Sequence, residues 1–104
     1  MPSYVLTVYA EADLEDIIHY TLTNHGVAQT GKYVAALEQC AENLANGVGY
    51  YRTLLEVHPH LRVVRCQHHY IFGLMQSEEA MAVLAIYHEN MDILHRLKAR
   101  LALG

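Results

Sequence analysis

The chain reads as an α+β fold of element order β-α-α-β-β-β-α, a helical hairpin packed on a small, mainly antiparallel sheet. Three observations predict it. Two stretches with helical spacing stand back to back around Asn24-His25-Gly26. Three strand-like runs follow one another from Leu61 to His88, with only short polar turns between them. A capped amphipathic stretch then closes the chain after Asn90.

Residues 3–9 are rich in β-formers and alternate weakly, so a strand is expected at or next to the sheet's edge. A helix should run from Ala10 to about His25, because Leu14, Ile17, Ile18, Thr21 and Leu22 recur at spacings of three and four. Glu11, Asp13, Glu15 and Asp16 crowd its first turns, where the helix dipole favours negative charge. Gly26 stops it as a left-handed residue. A second helix is expected from about Val27 to Asn46, with the stripe Tyr33, Val34, Leu37, Cys40, Ala41 and Leu44. The connection between the two helices is so short that they must run antiparallel. Residues 47–60 read as irregular, punctuated by two glycines and Pro59. Strands are then predicted at Leu61–Cys66, His69–Met75 and Met81–His88, antiparallel because their loops are short. Asn90 or Asp92 caps a last helix that reaches about Leu103 and carries Ile93, Leu94, Leu97 and Leu101 on one face.

The bulk numbers bound the function. At 104 residues the chain is expected to be one domain, 1–104, and 53% hydrophobic residues are too many for a disordered tail. Cys40 and Cys66, in unlike contexts and with no zinc pattern, are expected as free core thiols. No signal peptide is evident, and no apolar run reaches the ~18 residues that span a bilayer, so a cytoplasmic protein without a membrane partner is expected. A net charge of −4 argues against a general nucleic-acid binder. That charge is uneven. Residues 1–48 carry −5, whereas residues 49–104 carry +1 and hold all five arginines. A site for an anionic group, if present, lies in the second half.

Four segments carry a family resemblance. YVLTVYAEADLEDIIHYT gives a strand followed by an acidic helix, and QTGKYVAAL a second helix. HPHLRVVRCQHHYIFGLM gives a Leu-Arg strand, then a histidine before an aromatic strand. LAIYHENMD gives a closing strand, a histidine and a Met-Asp helix start. In this order the segments resemble the ParE branch of the RelE/ParE superfamily, the toxins of bacterial type II toxin–antitoxin systems, also called plasmid stabilisation proteins. The chain departs from the family in three ways. Gly49-Tyr50-Tyr51-Arg52 replaces a Gly-Arg loop, Phe72-Gly73-Leu74 lacks an arginine often found there, and the chain is acidic where many relatives are basic.

The resemblance implies a toxin that inhibits DNA gyrase by protein binding, with no catalytic residues of its own and no cofactor. It also implies neutralisation by a cognate ParD-like antitoxin in a hetero-oligomer, where the antitoxin rather than the toxin contacts DNA. Tyr50, Tyr51, Arg52, Arg62 and Arg65 are the candidates for target binding, since Tyr and Arg are common interface anchors. Leu14, Ile18, Tyr33 and Leu37 are the candidates for antitoxin binding, in a groove between the hairpin and the sheet. The alternatives are a RelE-like ribosome-dependent mRNA endonuclease and a degenerate, non-toxic member. A nuclease needs an acid or base and cations over the phosphate, which would be His88, Arg62 and Arg65. Glu89 beside His88 would repel that phosphate, and Arg62 and Arg65, three apart on a strand, should face opposite sides. His58-x-His60 and His68-His69 lack the partners that a structural metal requires, so no metal is expected.

Overall fold

The computed structural model describes residues 3–103. Strand β1 (Tyr4–Leu6) leads into helix α1 (Val8–Asn46), followed by β2 (Arg52–Thr53), β3 (Leu61–Cys66), β4 (His69–Gln76), β5 (Glu79–His88) and helix α2 (Ile93–Leu103). The five strands form one sheet in the order β1-β5-β4-β3-β2. β1 pairs parallel with β5, and the other three pairings are antiparallel.

The first strand is shorter than its sequence suggests. Thr7 is a β-former, but it acts as the helix cap and not as a strand residue. Its hydroxyl accepts the Ala10 N–H at 3.2 Å and donates to the Val83 carbonyl at 2.8 Å. The helix therefore starts at Val8 and takes residues 8 and 9 from the strand.

The hairpin turns at a single residue. Gly26 has φ 83° and ψ 176°, a region open essentially only to glycine, and it joins two helical limbs (8–25 and 27–46). The second limb ends at Gly47 in the left-handed region, where the N–H groups of Gly47 and Val48 meet the Leu44 and Asn43 carbonyls. β2 is an element the sequence did not announce: Arg52 and Thr53 pair with Val63 and Arg62 at the sheet's far edge.

The sheet lies between the two helices. On one face Ile17, Leu37, Ala41 and Leu44 of α1 pack on Cys66, Ile71, Met81, Val83 and Ile86. On the other, Leu97 of α2 packs with Leu54, Leu61, Val63, Phe72, Ala85 and Tyr87, flanked by Ile93 and Leu101. Leu94, expected on that stripe, is exposed. A bulge lets β5 serve both faces. Ala85 pairs with Phe72 but Val83 pairs with Gly73, so Leu84 is the extra residue. Gly73 leaves the space that Met81 fills, and a Cβ there would collide with the Met81 side chain.

The cysteines are not free. Cys40 and Cys66 form a disulfide, with their Cα atoms 6.3 Å apart. Cys40 lies on the sheet-facing stripe of α1, and Cys66 faces that helix from the end of β3. Among the described residues no helix is long and apolar enough to cross a membrane.

Candidate functional site

β1 covers only Met81–Val83 of the longer strand β5. The last five residues of β5 therefore run along an open edge. The first limb of α1 leans beside it and satisfies part of its backbone. The Asp13 carboxylate accepts the Ile86 N–H at 3.0 Å. Arg100, reaching round from α2, donates to the Leu84 carbonyl at 3.2 Å and pairs with Asp13 at 2.6 Å. Its guanidinium lies 4.9 Å from the Tyr87 ring centre and 5.5 Å from that of Tyr9.

Between this limb and the sheet opens a groove of about 690 Å³. Ile17, Thr21 and Ile86 give it an apolar floor. Asp16, Tyr20, His25 and Gln29 of α1 form one wall. Gln67, His68 and His69 of the β3–β4 corner, with His88 and Met91, form the other. Tyr33 crosses its end. The Tyr33 hydroxyl accepts the His68 N–H at 3.3 Å and donates to Nδ1 of His69 at 2.6 Å. The His88 ring stands edge-on to His69 with centres 5.1 Å apart, and its Nδ1 accepts the Asn90 N–H at 3.2 Å. Burial, with His88 and His68 beside it, lowers the pKa of His69 to about 4, so the ring is neutral near pH 7. Burial also raises the pKa of Tyr33, so its hydroxyl keeps its proton. His69 and Tyr33 thus give this wall a neutral hydrogen-bonding pair. Beside it, the Glu89 carboxylate is engaged by Arg65 and lies 3.4 Å from His68.

The residues singled out from the sequence fall in different places. Arg62 donates to the Leu44 carbonyl at 2.8 Å and lies 4.6 Å from the centre of the Tyr51 ring, so it caps the end of α1. Arg65 is on the opposite face, over Tyr70 and paired with Glu89. His88 is at the groove. The three do not converge on one phosphate-sized site. Tyr50 is 86% exposed beside Arg52, and Val48 and Leu55 are exposed nearby, so this patch lies at the β2 edge, across the sheet from the groove. Tyr51 is half-buried against Arg62. Tyr33 lines the groove, while Leu14 and Ile18 are half-buried on α1. Leu37 is only 3% exposed, inside the core, and offers nothing to a partner. Among the described residues no cluster of His, Cys, Asp and Glu is suited to a metal.

Sequence reasoning missed the groove's main residues, Asp16, Tyr20, His25 and His69. One signal was available: a tight turn at Gln67-His68 sets His69 opposite Cys66, and hence beside the next strand's end.

Comparison with known proteins agrees with this architecture. Residues 4–93 match the family model described as ParE toxin of type II toxin-antitoxin system, parDE. The chain is 48% identical to Toxin ParE of Escherichia coli over 101 residues, covering 97% of this chain and 98% of that one. It is 28% identical to Toxin ParE1 of Mycobacterium tuberculosis over 90 residues, covering 86% and 92% respectively. A solved structure of the chromosomal ParDE TA system from P. aeruginosa shares the fold with a TM-score of 0.66 at 18% identity, covering 85% of this chain and 96% of that chain. With the match spanning the sheet, the hairpin and the groove between them, this chain belongs to the ParE toxin family of type II toxin–antitoxin systems.

Proposed function

We propose that this toxin acts in the cytoplasm by binding a protein, with DNA gyrase as its target, and that a ParD-like antitoxin neutralises it. The observation that carries this reading is a groove beside β5 and an exposed patch at the opposite sheet edge, with Arg62, Arg65 and His88 kept apart. Arg62 serves the end of α1 and Arg65 serves Glu89, so these two cations do not pair over a reacting phosphate. The groove beside the uncovered half of β5 suits an antitoxin segment. Its floor of Ile17 and Ile86 takes apolar side chains, and Asp16 on its rim suits a lysine or arginine. Such a segment orders as it binds. The exposed patch of Tyr50 and Arg52 at the opposite sheet edge suits the target.

Inducing the chain alone in bacteria and counting colonies, with and without the reading frame encoded beside it, tests the pairing. Viability should fall and then be restored by that frame. Tyr50→Ala with Arg52→Ala should restore growth yet still capture the antitoxin, whereas Asp16→Lys should stay toxic and escape neutralisation. Unimpaired growth on induction of the unaltered chain would point to a degenerate member and sink the reading.

A further inference from the structure

The disulfide joins two parts of the groove's frame. Cys66 ends β3, immediately before Gln67 and His68, and pairs across strands with His69. All three of those residues line the groove. Cys40 lies seven residues after Tyr33, two turns along the same face of α1. This corner of the sheet is therefore tied to the helix twice. One tie is polar, from the Tyr33 hydroxyl to His68 and His69. The other is the covalent bond between Cys40 and Cys66.

A cytoplasmic protein meets a thiol pool that opposes permanent disulfides. The bond is not needed to form the fold's core, because a buried thiol packs as a small apolar group. Cys66 is 3% exposed, whereas Cys40 is half-buried and is the more accessible residue of the pair.

We propose that Cys40 and Cys66 form a reversible redox site whose state sets how firmly the groove's β3–β4 corner is held against α1. Oxidation proceeds by attack of the Cys40 thiolate on a low-molecular-weight disulfide such as oxidised glutathione. One glutathione thiolate leaves and a mixed disulfide forms. The Cys66 thiolate then attacks the Cys40 sulfur and expels the second glutathione. The two cysteines lose two protons and two electrons, and one glutathione disulfide becomes two glutathiones. Reduction reverses the steps, with entry at Cys40 and Cys66 as the leaving thiolate. In the reduced state the covalent tie is gone and the corner is held by the Tyr33 hydroxyl, the Cys66–Ala36 contact and core packing, so the residues that shape the groove wall move more freely. The cytoplasmic setting comes from the reading above, but the chemistry is testable without it.

The test uses the purified full chain equilibrated across reduced-to-oxidised glutathione ratios. Thiols are trapped by alkylation and counted by intact mass, and amide hydrogen exchange is followed in both end states. A reversible two-electron transition is expected. Reduction should speed exchange about tenfold at residues 33–40 and 66–70, an opening of the corner alone, and leave residues 81–83 unchanged. Cys40→Ser should behave as the reduced protein in every buffer. Tyr33→Phe should enlarge the effect of reduction, because it removes the polar tie to His68 and His69. Two free thiols in folded protein held in excess glutathione disulfide would overturn the proposal. Equal exchange at the corner in both states would overturn it too, and neither result bears on the choice of target or antitoxin.

Discussion

Replacing Asp13 with alanine should destabilise the fold by about 3 kcal/mol, the scale for breaking a buried pair and stranding its partner. The carboxylate accepts three hydrogen bonds, from Arg100 at 2.6 and 3.3 Å and from the Ile86 N–H at 3.0 Å. The two side chains are only 16% and 19% exposed, so water replaces little of what is lost. Arg100 keeps the Leu84 carbonyl and two tyrosine faces, which holds the cost to the lower part of the range. The control is Glu89→Ala. Its partner Arg65 is 57% exposed, and such surface pairs contribute about 0–1 kcal/mol. Urea unfolding measures both. In a melt, Asp13→Ala should lose roughly 12–24 °C, at about 4–8 °C per kcal/mol for a domain of this size. Asp13→Asn keeps an acceptor for Ile86 and should fall between the two. An Asp13→Ala loss below about 1 kcal/mol, or one no larger than that of Glu89→Ala, would refute the claim that this pair holds α1 and α2 to the open edge of β5.

Two further perturbations probe the groove and the hairpin. His69 titrates at its ordinary 6.5 when unfolded and at about 4 when folded, so in that window the unfolded chain binds the extra proton. Its contribution is full above pH 6.5 and is lost as the pH falls towards 4. The shift caps the loss at about 3 kcal/mol, and solvent screening of a half-buried ring brings the expected value to about 1–2 kcal/mol. Urea unfolding at pH 7 and pH 4.5 should show a smaller acid loss in His69→Gln than in the parent, and equal slopes would exclude the effect. Gly26→Ala meets no atom within 4 Å, so its cost is backbone strain alone, about 1–3 kcal/mol. A melt unchanged by that substitution would show that the hairpin does not depend on this conformation.

The sheet's centre was readable because β3, β4 and β5 are apolar runs between polar turns, and the opposed faces of Arg62 and Arg65 follow from a period of two. β2 escaped because two exposed residues carry no pattern. Thr7 was ambiguous, since a threonine suits both a strand and a helix cap. Its hydroxyl decided for the cap once Val83 lay beside it. Tyr33 and Leu37 share one helical stripe, and only the packed structure shows that Tyr33 lies at the groove while Leu37 is sealed beneath it. The disulfide depends on a helix face meeting a strand end, and a separation of 26 residues says nothing about that. The groove was the least legible feature. It exists because β1 stops at Leu6 and leaves half of β5 without a neighbour, so it is made by a missing partner.

The proposed action of this toxin, binding a protein rather than cutting RNA, is open to one paired experiment. Purified chain is added to gyrase with supercoiled plasmid and, in parallel, to a translating extract with a reporter mRNA. Accumulation of cleaved plasmid held by gyrase, with intact mRNA, is the predicted result. Cleavage of the mRNA at ribosomal A-site codons, abolished in His88→Ala while gyrase turns over normally, would contradict it.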